Sequence, residues 1–134
     1  MARAPGELPP AVLQLIRRHL HSVLDVETLL LLRSQPETAW SASVLRIALY
    51  ITEEAAAEHL AKLHAGGLLA ATHDGEHATL YRYAPSAATA RAVDELAVVY
   101  AQRKVRVIEV IYSGPLDSVR SFASAFRLRS PRRK

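Results

Sequence analysis

Residues 41–70, SASVLRIALYITEEAAAEHLAKLHAGGLLA, decide the fold because they encode two short helices joined by a tight turn. Ser41 is a good helix cap, and the apolar residues after it recur at helical spacing until Tyr50. These apolar residues are Val44, Leu45, Ala48 and Leu49. Ile51 and Thr52 then form a tight connection to the next helix.

The second helix of this stretch begins after Thr52, whose hydroxyl can cap it. Glu53 and Glu54 fall in its first turn, where the helix dipole favours acidic side chains. Gly66-Gly67 ends the helix. Its buried stripe is predicted to consist of Ala56, Leu60 and Leu63.

Upstream, the sequence predicts two further helices and a short extended segment. The first helix starts at Pro9-Pro10 and is apolar at Val12, Ile16, Leu20, Val23 and Leu24. Asp25 can cap the second helix, whose core is Val26 with Leu29 to Leu32. Thr38-Ala39-Trp40 is short and β-prone.

Downstream, residues 68–73 and 77–83 are two β-prone runs around Asp74-Gly75, which favours a tight hairpin turn. A long helical stretch is predicted from Pro85-Ser86 to about Tyr112, and a last short helix over 116–128. The fold class is therefore mainly α with a small β-hairpin wing (α+β), that is, a winged helix-turn-helix plus a long C-terminal dimerisation helix. The predicted units are a flexible arm (1–8), the winged-helix domain (9–84), a C-terminal helical dimerisation region (85–128) and a basic tail (129–134).

Residues 41–70 resemble the helix-turn-helix of bacterial winged-helix transcriptional regulators of the MarR type, and the likeness extends over about 10–112. Thr52 matches the cap of the recognition helix, residues 68–83 match the wing, and the helix from Ser86 resembles the dimerisation helix. The positions that match the core and the run into the wing are Leu45, Ala48, Leu49, Ile51, Leu60, Leu63, Gly67 and Leu68.

The resemblance implies DNA binding through the recognition helix and the wing. The recognition helix and its cap would contribute Thr52, Glu53, Ala55, Glu58 and Lys62. The wing and the backbone-contacting positions would contribute His73, His77, Arg82, Arg17 and Arg18, although each also suits an ordinary exposed position. Arg82, in a strand among tyrosines, is the best phosphate or minor-groove candidate of these.

The recognition helix departs from a base-reading helix in its chemistry. Arg, Lys, Asn and Gln make the common bidentate contacts to guanine and adenine. The outward positions of this helix are predicted to be Glu53, Glu54, Ala55, Ala57, Glu58 and Ala61. Glutamate can accept a hydrogen bond from cytosine N4, so the helix retains a limited reading capacity, but its carboxylates repel phosphates.

The preceding helix carries apolar residues where such proteins usually keep polar ones. Val44 and Ile47 are predicted to face outward, and Tyr50 replaces the small residue favoured in the turn. Two interpretations follow: the first helix or a neighbouring loop covers this cluster, or the cluster is a docking surface for another protein.

Apolar residues line two faces of the predicted long helix. One stripe is assigned to dimerisation and consists of Val93, Leu96, Tyr100, Val107 and Ile111, and the other consists of Ala97, Val105, Ile108 and Tyr112. One stripe can pack on the winged-helix core, and the other then needs a cover. A second subunit related by a twofold axis would provide that cover, as would a final helix that folds back within one chain.

The positive charge of the chain is concentrated near its end. The formal net charge is +4, yet residues 101–134 hold nine of the 17 Lys and Arg residues and two of the 13 acidic ones. Arg127, Arg129, Arg132, Arg133 and Lys134 form a basic tail that can bind phosphates without sequence preference or simply aid solubility.

Little in the sequence indicates an enzyme, a cofactor or a metal site. There is no cysteine, and neither a Gly-rich phosphate loop nor a G-x-S-x-G or H-E-x-x-H motif occurs. The cluster of His73, Asp74, Glu76 and His77 is better explained as a solvated turn than as a metal site. The start MARAPGELPP lacks the apolar segment of a secretory signal, and no uninterrupted apolar run, Leu29 to Leu32 included, approaches the length of a membrane span, which predicts a cytoplasmic protein without a membrane span.

The function predicted from these observations is that of a dimeric DNA-binding transcriptional regulator of the winged-helix class. The alternative is a winged-helix protein-interaction module that binds another regulatory protein through its acidic helix and the Val44/Ile47/Tyr50 cluster.

Overall fold

The computed structural model describes residues 8–73 and 79–113. Within these ranges the chain forms a mainly helical α+β fold with one hairpin, which confirms the predicted fold class. The helices are α1 (Pro10–His19), α2 (Val23–Ser34), α3 (Ala42–Leu49), α4 (Glu53–Ala65), α5 (Ala87–Gln102) and α6 (Lys104–Ser113), and the strands are β1 (Leu69–His73) and β2 (Thr79–Tyr83).

Side-chain caps fix where α3 and α4 begin. The Ser41 hydroxyl accepts a hydrogen bond from the Val44 N–H at 3.2 Å, and the Thr52 hydroxyl accepts one from the Ala55 N–H at 3.0 Å. Each bond satisfies a backbone donor that the first turn of a helix leaves without a partner. Both predicted caps are therefore confirmed, and the two helices pack directly against each other.

Helix α2 begins differently from the prediction. Its cap is Ser22, whose hydroxyl accepts a hydrogen bond from the Asp25 N–H at 3.1 Å. Asp25 lies in the first turn of the helix and is fully buried, so it is not the capping residue that the sequence suggests. Its carboxylate instead accepts a hydrogen bond from the His21 N–H at 2.8 Å, which fixes the chain as it enters the helix.

The wing is an antiparallel hairpin in which Leu69 pairs with Tyr83 and His73 pairs with Thr79. Trp40 forms an isolated antiparallel β-bridge with Tyr81 of β2, through two backbone hydrogen bonds of 2.7 and 2.8 Å. This bridge explains why a β-prone segment precedes α3: it ties the start of the helix-turn-helix to the wing. The predicted Asp74-Gly75 turn lies outside the described residues.

The predicted single long helix is two helices, because α5 ends before Arg103 and α6 begins after it. Arg103 leaves the helical region with φ −137° and ψ 54°. Beyond this break α6 packs against α1 as well as α5, and Val107 and Ile111 enter the core. Tertiary packing of α6 thus overrides the continuous helical pattern of the sequence. The predicted final helix (116–128) and the basic tail lie outside the described residues.

One hydrophobic core joins all six helices to the wing. The predicted stripe of α4, Ala56, Leu60 and Leu63, is almost completely buried, which confirms that assignment. Leu8 is also buried, so the chain is anchored to the core at the last residue of the predicted flexible arm. Ala48, predicted as a core position of α3, is exposed.

None of the helices within residues 8–73 and 79–113 is long and apolar enough to cross a membrane.

We expect Tyr50→Gly to stabilise the protein by about 0.5–1 kcal/mol. Tyr50 has a left-handed backbone conformation (φ 57°, ψ 49°) at the end of α3, and its side chain is 94% exposed. Glycine adopts this conformation without steric cost, and little buried surface is lost with the ring. Urea denaturation measures the difference. Tyr50→Ala is the matched control, since it removes the ring but keeps the strain; equal stability of the two variants would contradict this explanation.

Candidate nucleic-acid interface

Helix α4 presents a mixed acidic and small-residue face to solvent. Its buried side packs on α2, α3 and β1, which leaves the opposite side exposed. The exposed side chains of residues 53–61 are Glu53, Glu54, Ala57, Glu58 and Ala61. Of the predicted contact residues, Thr52, Glu53, Glu58 and Lys62 are exposed, whereas Ala55 is half-buried.

Lys62 is the one basic residue predicted to contact DNA from this helix, and it is held by an acidic partner. Its ammonium group lies 3.0 Å from Oδ2 of the buried Asp25 carboxylate. The other carboxylate oxygen, Oδ1, accepts a hydrogen bond from His59 Nδ1 at 2.6 Å. Asp25 therefore binds two side chains of α4, three residues apart, and joins the start of α2 to the outward-facing helix.

Sequence reasoning misses the cluster of Asp25, His59 and Lys62. The available signal is the spacing of His59 and Lys62, which places both on one face of α4. Their partner is 34 residues before His59, and a contact at that separation depends on how α2 packs on α4. The spacing of residues in the sequence does not predict how α2 packs on α4.

The pKa of Asp25 is lowered below its ordinary value of 3.8. Burial alone acts in the opposite direction and would raise it, because desolvation disfavours the charged carboxylate. The hydrogen bonds from Lys62, from the His21 N–H and from His59, together with the positive charge of Lys62, outweigh that burial. The carboxylate is therefore ionised at neutral pH.

The wing carries two of the predicted contact residues on its exposed surface. Arg82 is exposed on β2 opposite Ala70, and its neighbours Tyr81 and Tyr83 are half-buried. His73 is exposed at the end of β1, with its Nδ1 3.3 Å from the Thr79 hydroxyl. The third predicted wing residue, His77, lies outside the described residues.

Arg17 and Arg18 are exposed on the last turn of α1. This turn lies at the C-terminal end of α4, because a Cβ on Gly66 would come within 2.6 Å of the His19 ring. The first turns of a recognition helix are the part that contacts bases. The two arginines therefore lie toward the other end of α4 from Glu53 and Glu54.

The apolar cluster on α3 is exposed in the structure. Val44, Ile47 and Tyr50 are 51%, 67% and 94% exposed. They recur every three residues and so lie on one side of α3. This finding contradicts the interpretation that the first helix or a neighbouring loop covers them, as far as the described residues extend. We call these three residues the α3 row.

The residues assigned to dimerisation are placed elsewhere than expected. Val93, Leu96 and Val107 are fully buried and Ile111 is 6% exposed, all within the core of this chain. Tyr100 is half-buried, and its hydroxyl donates a hydrogen bond to Glu27 at 2.5 Å. This stripe packs the winged helix onto α5 and α6, so little of it can contact a second subunit. The exposed large apolar residues on these helices are Val98, Val105 and Tyr112.

A shallow cleft of about 200 Å³ lies between α1 and α5. Its lining includes Gln14, Arg18 and His19 on α1 and Ala88 and Thr89 on α5. Among residues 8–73 and 79–113, no group of three His, Cys, Asp or Glu side chains lies close enough to hold a metal ion. Most of the wing-tip cluster around Asp74 falls outside these ranges.

Comparison with solved structures decides the architecture. A crystal structure of a cysteine-to-serine mutant of MarR from E. coli matches with a TM-score of 0.50 and 13% identity, over 87% of this chain and 85% of that chain. The chain has a MarR-like winged-helix fold. Wild-type E. coli MarR in its apo form is also similar, with a TM-score of 0.49 and 13% identity over 90% of this chain and 89% of that one. No protein-family model and no curated protein sequence matches this chain.

The MarR-like fold shows which elements of this structure form the parts of the winged helix. Helices α3 and α4 form the helix-turn-helix, and β1 and β2 form the wing. At 13% identity the similarity concerns the fold alone. What the exposed surfaces can bind depends on this chain's own residues.

We expect Asp25→Asn to lower the free energy of unfolding by about 1–3 kcal/mol, because the neutral amide leaves His59 and Lys62 without their buried anion. Lys62 is partly exposed, which keeps the loss below that of a fully buried ion pair. Asp94→Asn is the matched control, since Asp94 pairs with Arg33 on the surface, and its cost should stay below about 1 kcal/mol. Urea denaturation at pH 7 measures both.

The difference in the free energy of unfolding between wild type and Asp25→Asn should depend on pH. The folded-state pKa of Asp25 lies below 3.8, so its stabilising contribution is present above that value and is lost as the pH falls through the folded-state pKa. The two proteins should therefore converge in stability as the pH falls below about 4. A difference that stays constant throughout the acid range would show that the charge of Asp25 does not stabilise α4.

Proposed function

We propose that this protein is a dimeric winged-helix DNA-binding protein that acts in transcriptional regulation. The observation that supports the proposal most is the MarR-like arrangement, in which α4 lies outward beside a wing that carries an exposed arginine, Arg82. A helix-turn-helix places its second helix in the major groove, and a wing beside it can reach the neighbouring backbone. Such a regulator acts where the chromosome lies, which implies the bacterial cytoplasm.

The charges on α4 determine how the protein would hold DNA. Glu53, Glu54 and Glu58 are exposed, and Lys62 is paired with Asp25, so this helix adds little attraction to phosphates. The affinity then has to come from basic residues elsewhere, above all Arg82 on the wing and the basic residues near the C-terminus. Phosphate contacts of this kind position a protein on the duplex without reading its sequence.

The exposed side chains of α4 can make only a few kinds of contact with bases. Glutamate accepts a hydrogen bond from cytosine N4 in the major groove, while Ala57 and Ala61 offer small apolar contacts of the kind that thymine methyl groups make. None of the exposed residues in the first turns of α4 is an Arg, Lys, Asn or Gln. The proposal therefore implies a modest preference between sequences and a large non-specific component.

Dimerisation is assigned to the exposed stripe of α5 and α6. Val98, Val105 and Tyr112 are 56%, 69% and 64% exposed and recur every seven residues. Val105 and Tyr112 share one side of α6, and Val98 lies on α5 before the break at Arg103. A twofold axis along this stripe would bury it against the same stripe of a second chain and would present two α4 helices to one duplex.

The test of DNA binding is a salt series with mixed genomic DNA fragments. Arg82→Ala should weaken binding and reduce the slope of log K against log salt by about 0.9, the contribution of one phosphate contact. Arg91→Ala is the matched control, because Arg91 is an exposed arginine on α5, and its slope should equal that of wild type.

A third variant separates the winged helix from the basic tail. It has glutamine in place of Arg127, Arg129, Arg132, Arg133 and Lys134. A preference for particular fragments should persist in it, because that preference comes from α4 and the wing. If all binding disappears with these charges, the winged helix is not a DNA reader.

The dimer is tested by light scattering. Wild type should have twice the chain mass of 14.7 kDa, and Val98→Glu combined with Val105→Glu should give the single-chain mass, because the carboxylates introduced into a twofold interface have no partners there. Val44→Glu with Ile47→Glu makes the same chemical change on the α3 row and should leave the mass unchanged. A single-chain mass for wild type at high and low concentration would refute the dimer.

A further inference from the structure

The α3 row lies beside a carboxylate of α4. The Ser43 hydroxyl donates a hydrogen bond to Glu53 Oε2 at 3.0 Å, and Ser43 is four residues before Ile47 on the same helix. Residues four apart are neighbours on a helix surface. An exposed apolar row and an acidic side chain are therefore directly adjacent.

The surface continues across α4 as an acidic strip. Glu54 and Glu58 are four residues apart and share one side of this helix, and the small residues Ala57 and Ala61 are exposed next to them. Because alanine side chains are short, a partner can approach the backbone of α4 closely at these positions. Helix α3 also exposes Arg46, next to Ile47, but the exposed glutamates of α4 outnumber it. Together the α3 row and this acidic strip suit a ligand with large apolar side chains on one side and a net positive charge.

The end of α6 lies beside the start of α2, which contacts α4 through His59 and Lys62. The Val23 N–H donates a hydrogen bond to the Tyr112 hydroxyl at 3.4 Å, so the last turn of α6 lies at the start of α2. Two residues further along α2 is Asp25, whose carboxylate contacts α4. Residues 114–134, which are outside the described ranges, thus continue from a point next to the helix pair α2–α4.

Residues 114–134 have the complementary composition. They contain six Lys and Arg residues and one acidic residue, Asp117. Their large apolar residues follow helical spacing: Val119, Phe122 and Phe126, with Ala123 between them. The segment therefore combines an aromatic stripe with strong positive charge.

The exposed stripe of α5 and α6 is a poorer match for the same segment. Beside Val105, Arg106 is paired with Glu109 at 3.2 Å, and Lys104, which lies over the Tyr100 ring, adds a further positive charge. This stripe therefore has no excess of negative charge to attract a basic segment. Charge complementarity favours the acidic strip of α4 over this stripe.

We infer that residues 116–134 dock in the same chain onto Val44 and Ile47 of the α3 row and onto the acidic strip of α4, with Phe122 and Phe126 on these two side chains. The arginines after Phe126 then face Glu54 and Glu58. The inference does not depend on DNA binding, since it concerns the protein alone.

The tether makes such docking effective even when the contacts are weak. From the end of α6 at Ser113 to Phe122 the chain advances nine residues, which span about 30 Å when fully extended, close to the width of a domain this size. A short tether gives an effective concentration in the millimolar range. Contacts with a millimolar dissociation constant therefore suffice to populate the docked state.

The experiment uses the full chain with one spin label. Because the protein contains no cysteine, Ser124→Cys provides a single attachment site for a nitroxide between the two phenylalanines. The amide signals of Val44, Ile47 and Glu54 should be broadened, while those of Val98 and Val105 should not. Diluting the labelled chain tenfold with unlabelled wild type should leave the broadening unchanged, because the contact is within one chain.

Charge variants complete the test. Glu54→Gln with Glu58→Gln should weaken docking by up to about fivefold per carboxylate, whereas the matched pair Glu95→Gln with Glu109→Gln on α5 and α6 should have no effect. Broadening of Val98 and Val105 instead, broadening that falls on dilution, or no broadening at all would each overturn the inference. DNA is absent from these samples, so failure of DNA binding leaves the result unaffected.

Discussion

The position of the outward-facing helix depends on a carboxylate that has no access to solvent. Asp25 lies in the first turn of α2, fully buried, and receives hydrogen bonds from the His21 N–H and from His59 as well as the charge of Lys62. A buried charge without such partners costs several kcal/mol. The three groups offset that cost only when α4 lies in one register against α2. The apolar stripe of α4 alone would tolerate small shifts along its axis, and the carboxylate removes that freedom.

The same interaction gives the surface of α4 its acidic character. Without this contact Lys62 would be an unpaired positive charge on α4, but its ammonium group lies 3.0 Å from Asp25. The positive charge of Lys62 therefore does not neutralise the negative charges of Glu53, Glu54 and Glu58. A residue that the sequence assigns to DNA contact thus has a structural partner, and the exposed arginines assigned to the same role lie on α1 and on the wing.

Much of the fold is predictable because its signals are local. Ser41 and Thr52 cap helices through bonds that span three residues, and the stripe of α4 follows from its own periodicity. The errors concern contacts between distant segments. Asp25 resembles a cap in the sequence because its partners lie on another helix, and the break at Arg103 arises because α6 packs on α1. For the same reason the sequence shows two apolar stripes on the last helices but does not determine which of them the core buries.

The architecture of this chain and its unusual surface need not have the same explanation. The MarR-like fold requires a buried side for α3 and α4, and Leu45, Leu60 and Leu63 provide it. It does not require Ile47 or Tyr50 to be exposed, and their exposure does not stabilise the winged-helix domain. Glu53 and Glu54, by contrast, lie in the first turn of α4, where the helix dipole favours acidic side chains. Exposed apolar area costs free energy in water, about 25 cal/mol for each Å² that remains uncovered. A feature that is costly for the free domain and unnecessary for its fold is best explained by what covers it, and the basic, aromatic end of the same chain has the chemistry to do so.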